Sequence, residues 1–299
     1  MPIPAVAVIT RTKNRPLLLP RAMQSVVNQT FKDLIWVVVN DGGDPAPVQD
    51  VVAKAREAGI HTVQIDNAQS IGMEAASNLG CRSCESRYIA IHDDDDTWEP
   101  TYLEKMVAYL DQNPDLCGAI SGTNEVRERL TPDSCEVVEK KPYNEWLKAI
   151  YMVDMLQRNQ FAPIAFLFPR TVYEQVEGFD ENLPVLGDWD FALKVLQLGD
   201  IGVFPERLAN YHLRPPELQQ AKDEYANTVT HHIDVHARYD AYIRNKWMRD
   251  DISKGRFGIG MMMGLGRQHG AMLYILYGYR EALLQKQAEE KNSQAEKVA

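Results

Sequence analysis

Tyr88-Ile89-Ala90-Ile91-His92-Asp93-Asp94-Asp95-Asp96-Thr97-Trp98 is the stretch from which the fold can be read. Residues 88–91 are apolar, aromatic or β-branched, as in a short strand buried on both faces of a parallel sheet. Four consecutive carboxylates follow, at the end of the strand where open α/β sheets bind ligands. Adjacent carboxylates repel one another, and a divalent cation relieves the repulsion; an all-oxygen donor set suits Mg²⁺ or Mn²⁺. A solvated acidic turn ahead of a helix near Pro100 is the plainer alternative, and the position directly after a buried strand favours the ligand site.

Upstream of this stretch, strands and helices alternate. Residues 5–9 read as a first strand ending in the polar loop Thr10-Arg11-Thr12-Lys13-Asn14-Arg15-Pro16, and residues 17–28 as a helix with Leu18, Ala22, Ser25 and Val26 on one face. Residues 34–39 form a second strand ending in the turn Asn40-Asp41-Gly42-Gly43. A helix over 48–58 closed by Gly59, a strand over 61–65 and a helix over 71–85 complete the approach. The order βαβαβαβ with right-handed crossovers gives a parallel sheet wrapped by helices, so Thr10, Asp41 and Asp93 share one rim.

Downstream, a helix over 102–113 stops at Asn113-Pro114, and a short strand covers 117–122. Residues 131–141 read as polar and irregular, 146–157 as helix, and 162–169 as a strand whose prolines suit an edge or a bend. Gly187-Asp188-Trp189-Asp190 opens an amphipathic helix; an N-cap explains one aspartate there, but not both. Residues 201–208 lead to Asn210-Tyr211-His212-Leu213-Arg214-Pro215-Pro216, where the regular part ends. Residues 217–250 read as a polar helix. His232 and His236 on it have the i,i+4 spacing of a metal pair but lack a carboxylate partner. Residues 257–279 are rich in Gly, Met and Tyr, with Arg267, Gln268 and His269 at a depth that a membrane-spanning helix avoids. A packed helix, an oligomer contact or a membrane-surface contact is expected instead.

The 299 residues suffice for one large domain with an appendage, divided here as 1–215 and a helical extension 216–299. A net charge of −10 argues against a surface that grips nucleic acid, but leaves room for a phosphate-bearing ligand whose charge a metal balances. Met1-Pro2-Ile3-Pro4-Ala5 has no basic n-region, so a cytoplasmic protein is expected, peripheral at most to the inner face of a membrane. Cys81, Cys84, Cys117 and Cys135 do not make a disulfide framework, and the Cys81-x-x-Cys84 pair reads as helix packing.

Five segments, in order, resemble the inverting glycosyltransferases of family 2, which have the GT-A fold. Residues 8–16 are similar to the family's nucleotide loop, 39–43 to its second-strand aspartate motif, and 72–78 to the helix that bears its asparagine, here Asn78. Residues 88–98 resemble the strand and DXD motif, with Asp93 and Asp95 in the two D positions, and 187–190 the catalytic-base motif. The resemblance covers roughly residues 1–215 and implies a Rossmann-like, mostly parallel sheet flanked by helices.

It further implies that Thr10, Arg11, Thr12, Arg15, Asp41, Asn78, Asp93 and Asp94 contact a nucleotide-diphosphate sugar, a UDP-sugar first among them. Asp93 and Asp95 hold Mn²⁺ or Mg²⁺, with His212 a candidate third ligand, and Asp188 is the general base toward a glycan or lipid-linked acceptor. Such enzymes commonly build surface polysaccharides or glycoconjugates. The chain departs from the pattern at Gly187, where a glutamate is usual, at Lys13, where an aromatic is common, and at His212-x-Arg214, which reverses the usual Arg-x-His. A phosphatase of the haloacid-dehalogenase type is the main alternative, since Asp93-x-Asp95-x-Thr97 fits its nucleophile loop. A nucleotide-sugar binder without transfer activity is another.

Overall fold

Strand β1 (Val6–Thr12) is almost wholly buried, and it pairs in parallel with β2 (Leu34–Asp41) on one side and β4 (Tyr88–Ile91) on the other. Strand β3 (His61–Asn67) extends the parallel part beyond β2. Helices α1 (Leu19–Val27), α2 (Pro45–Glu57) and α3 (Met73–Arg82) make the crossovers and cover the sheet, which is why β2 and β4 read as unbroken apolar runs. In register, Ile9 stands between Val37 and Ile91, so the polar ends of all three strands leave the sheet on the same side. The computed structural model describes residues 3–131, 134–215, 218, 225, 227, 233–256 and 258–298.

The second half of the sheet departs from this plan. After β5 (Thr97–Trp98) and α4 (Tyr102–Gln112), β6 (Gly118–Leu130) makes a hairpin with β7 (Cys135–Tyr143). Then come α5 (Met152–Gln157), a turn of 3-10 helix (Pro163–Ala165), β8 (Phe166–Pro169), α6 (Arg170–Gln175), α7 (Gly187–Leu198) and β9 (Ile201–Leu213). Strand β8 lies antiparallel between β4 and β6, β9 runs parallel to β6, and β5 pairs with β9. Among the described residues the main path of the sheet is β3-β2-β1-β4-β8-β6-β9-β5. The architecture is the mixed α/β, GT-A arrangement with a helical C-terminal region.

Four local expectations are corrected. Residues 131–141 are not irregular over their length: Cys135–Tyr143 is a strand held by backbone pairing, and its exposed Glu and Lys side chains hide it from any hydrophobic pattern. The strand expected over 162–169 is shortened by the 3-10 turn and lies in the interior, with Pro169 paired only at its end to Tyr88. The helix expected over 146–157 is confined to Met152–Gln157. In the polar run after 216, the described helix is α8 (Ile233–Ser253); His231 and His232 lie outside the described residues.

The chain forms two compact units, residues 1–152 with 159–241, and residues 153–158 with 242–299. The core of the first includes an aromatic cluster on β8 and α7, in which Phe168 and Phe191 approach to 4.8 Å and Phe179 stacks on Phe191 at 4.4 Å. In the second, Arg244 is buried and donates to the carbonyls of Leu156, Gln157 and Met263. Its last helix, α9 (Ile259–Val298), exposes Tyr274, Ile275 and Leu276. No helix among the described residues is long and apolar enough to cross a membrane.

Candidate active site

The C-terminal ends of β1, β2 and β4 open onto a cavity of about 910 Å³. Each carboxylate of Asp93, Asp94 and Asp95 on its wall meets a guanidinium. Arg11 Nη2 is 2.9 Å from Asp93 Oδ1. Arg15 Nη1 donates to Asp94 Oδ1 at 3.0 Å and to Asp95 Oδ2 at 3.3 Å, and Thr12 Oγ1 donates to Asp94 Oδ2 at 2.7 Å. Arg214, fully buried, donates from Nη2 to the same Asp95 oxygen. Asp96 is turned into the protein, where its Oδ1 accepts from the backbone N–H of His212 at 2.8 Å.

These surroundings divide the run electrostatically. Burial pushes the Asp93 and Asp94 carboxyls above the ordinary range, against the pull of Arg11 and Arg15 respectively. Burial acts on Asp95 too, but Arg214 and Arg15 overcome it and hold the carboxyl down at about 2. Asp96 is pushed well up, first by burial and then by Asp95 and Asp93.

Asp188 reaches the cavity from the first turn of α7, which begins after Leu186, a residue in the left-handed region at φ 64° with no side-chain cap on the helix. Its Oδ2 accepts from Asn159 Nδ2 at 2.7 Å. Burial raises its pKa, while the backbone N–H of Trp189 and the charge of Arg11 oppose the rise. Asp190, two residues on, faces the core, 3.3 Å from Lys194 Nζ. Neither aspartate caps the helix, and the chain's turn sends one to the cavity and the other to the interior.

The remaining residues expected at the site separate into two groups. Asp41 lines the cavity, but both its oxygens are occupied: Oδ1 accepts from Asn67 Nδ2 and Ile71 N, Oδ2 from Ser70 Oγ and Gly72 N. A carboxylate offers about four acceptor sites, so these donors fill it and Asp41 orders the loop before α3. Despite partial burial, those bonds keep its carboxyl below the usual range. Gly42 is needed beside it, since a Cβ at its φ of +80° would lie 2.5 Å from Ser70 N.

Thr10, Asn78 and His212 do not line the cavity. Thr10 Oγ1 accepts from the Trp36 indole at 2.9 Å inside the sheet. Asn78 clasps the turn after α6: Nδ2 donates to Phe179 O and Glu181 Oε1, and Oδ1 accepts from Phe179 N and Tyr173 Oη. Both ring nitrogens of His212 are engaged, Nδ1 with Glu128 Oε1 at 2.7 Å and Nε2 with Thr97 Oγ1 at 2.9 Å.

The donor chemistry of Asp93 and Asp95 fits a divalent cation, because both offer carboxylate oxygens to the cavity. His212 does not fit, its nitrogens being committed elsewhere. Among the described residues no group of three or more His, Cys, Asp or Glu is assembled for a metal ion, so water or ligand oxygens would have to complete the coordination.

Reading the sequence missed several wall residues. Asn159, Phe161 and Tyr143 come from segments without a motif, Tyr211 stands next to His212-x-Arg214, and Asn227 and His236 lie beyond Pro216. Glu74 also belongs here and did carry a signal. Positions 74, 77, 78 and 81 form the inward stripe of α3, where a glutamate is out of place unless it serves a site. Burial pushes its carboxyl up to about 7; Arg11 opposes the rise and Asp188 adds to it. Gly187 leaves room for it, because a Cβ there would stand 2.4 Å from Glu74 Cδ.

The chain is similar to known glycosyltransferases. A protein of Haemophilus influenzae described as an uncharacterized glycosyltransferase is 25% identical over 217 residues, covering 70% of this chain and 66% of that one. One from Methanocaldococcus jannaschii, described in the same words, is 30% identical over 114 residues, or 38% of this chain and 39% of that one. The crystal structure of S. aureus TarS 1-349 with UDP shares the fold at a TM-score of 0.57 and 16% identity, over 71% of this chain and 61% of that chain. The same protein with UDP-GlcNAc gives 0.58 at 16% identity, over 72% and 60%. The chain thus spans less than two thirds of the length of these relatives. Residues 7–176 match the family model described as Glycosyl transferase family 2, more than half of the sequence, and the chain belongs to that family.

Proposed function

We propose that this transferase moves a sugar from a nucleotide-diphosphate donor to a hydroxyl acceptor with inversion at the anomeric carbon. The observation that carries the reading is the meeting, in one cavity, of the Asp93–Asp95 loop with a separate, half-buried carboxyl, Asp188. Family membership makes the phosphatase alternative unnecessary. Fold neighbours that bind UDP and UDP-GlcNAc support a UDP-sugar as donor.

In this mechanism the acceptor oxygen bonds to the anomeric carbon as the bond from that carbon to the diphosphate oxygen breaks. The acceptor proton passes to Asp188, and the electron pair leaves with the nucleoside diphosphate. A base pKa raised toward the working pH suits that transfer, since a base is most effective when its pKa lies near the operating pH. Asn159 fixes the carboxylate through Oδ2. Arg11 and Arg15, on the opposite strand end, are placed to meet negative charge on the donor. Asp93 and Asp95 would hold Mg²⁺ or Mn²⁺, which when bound supplies Lewis-acid neutralisation of the leaving diphosphate.

The acceptor is proposed to be a glycan or lipid-linked saccharide in surface polysaccharide or glycoconjugate synthesis. The work is placed in the cytoplasm or at the inner face of a membrane. The region from 216 on, with the exposed apolar side chains of α9, is proposed to serve assembly or surface contact. A panel of UDP-sugars incubated with the protein and Mn²⁺ or Mg²⁺, followed for released UDP and for the anomeric form of the product, tests the reading. Release that is lost in Asp188→Asn supports it. Tight binding of UDP with no turnover of any donor would instead make the chain a nucleotide-sugar binder.

A further inference from the structure

Glu74 sits on the wall of the cavity next to Asp188, and the mechanism above leaves it unused. The residue is only 3% exposed, and its Oε2 is buried without a hydrogen bond from any described residue. The nearest cation, Arg11 Nη1, stands 3.7 Å away and is already bonded to Ser77 Oγ. An acceptor oxygen taken out of water without a donor is costly, and the cost is recovered when a ligand brings one. The chain has also made room for this carboxyl: a Cβ at position 187 would lie 2.4 Å from both Cδ and Oε1 of Glu74. The glutamate of α3 therefore occupies the space that a side chain at 187 would take, directly against the backbone that presents Asp188.

On the reading of the chain as a transferase, we propose that Glu74 binds the acceptor: its carboxyl accepts a hydrogen bond from a second hydroxyl, next to the one that Asp188 deprotonates. An acceptor recognised in this way has neighbouring hydroxyls, as a saccharide ring has, and a lone alcohol such as a serine side chain lacks. The same cavity offers aromatic surface for such a ring. Tyr143 and Tyr211 meet edge to face at 5.8 Å, and Phe161 lines the cavity with them. The hydroxyl donates to Glu74 and stays intact, so the bonds made and broken remain those of the transfer itself.

The test uses the full chain, a UDP-sugar that the wild type hydrolyses, and two acceptor probes, a panel of methyl glycosides and N-acetylserinamide. The quantity read is the ratio of transfer to hydrolysis, from which any general loss of donor turnover cancels. Glu74→Gln, which leaves a neutral acceptor in place of a charged one, is expected to lower that ratio for a methyl glycoside by about tenfold when assayed at about pH 8. The double variant Glu74→Ala with Gly187→Glu returns a carboxyl to the same space from the other helix and is expected to recover the ratio, which a packing role for Glu74 would not allow. If Glu74→Gln does not fold, Gly187→Ala displaces the carboxyl from its other side and is expected to lower the same ratio. An unchanged ratio in the folded variant, or transfer by the wild type to N-acetylserinamide and to no glycoside, overturns the inference while leaving the transferase reading in place. No turnover of any donor by the wild type overturns that reading, and the inference with it.

Discussion

Arg214 is fully buried, holds Asp95, and stands 3.7 Å from Glu128, itself fully buried. Removing one partner of such a group strands the others, so Arg214→Met is expected to destabilise the chain by about 3–5 kcal/mol in urea unfolding. Asp188→Asn should act on chemistry instead. It keeps the shape and the contact with Asn159 while lowering transfer by about 10²–10⁴-fold, with UDP affinity by calorimetry little changed. Glu74 links the site to pH. Its carboxyl is held at about 7 in the fold against an ordinary 4.5, first by burial, with Arg11 opposing. The stability belonging to its protonated form is whole below the ordinary value and is lost as pH rises through the folded one. Glu74→Gln cannot ionise, so its melting temperature relative to wild type should climb between about pH 5 and pH 8; a flat difference would show that the carboxyl titrates normally.

At the scale of elements, legibility followed burial. Strands β1, β2 and β4 are buried apolar runs, and their ends, with the acidic loop and the aspartates at the start of α7, could be placed from the sequence. Strand β7 could not, because its stabilisation comes from main-chain pairing with β6 and its side chains face water. Strand β8 looked peripheral because of Pro169, yet that proline pairs only at the strand's last position. Motif order also overstated what individual side chains do. Thr10, Asn78 and His212 stand at expected places in the chain, but each polar atom is satisfied inside the protein. The case of Asn78 is measurable. Loss of its bonds to Phe179, Glu181 and Tyr173 in Asn78→Ala should cost about 1–3 kcal/mol in chemical unfolding and leave UDP affinity nearly intact. A large loss of affinity at unchanged stability would restore it to the nucleotide site.

At the scale of the whole molecule, the cavity reaches past the double proline that closes the motif-bearing part of the sequence. Asn227 lines it, accepts from Arg214 N at 2.7 Å and donates to His212 O at 3.0 Å, so it fastens the end of β9 from beyond residue 216. A chain ended at Pro215 should lose more stability than Asn227→Ala alone, by comparison of their thermal unfolding. The arginines on the acidic loop matter at this scale too, for a protein of net charge −10 with a proposed anionic donor. Because Arg15 and Arg214 already satisfy Asp95, the proposed cation would enter there by exchange rather than by filling a gap. Arg15, which lines the cavity, would then be released toward phosphate oxygens, so on the proposed function the two ligands would assist one another. Linkage then requires the factor by which Mn²⁺ tightens UDP to equal the factor by which UDP tightens Mn²⁺. The pairing that keeps the loop folded would thereby make metal and nucleotide cooperative, each taking up one partner of the Arg15–Asp95 pair.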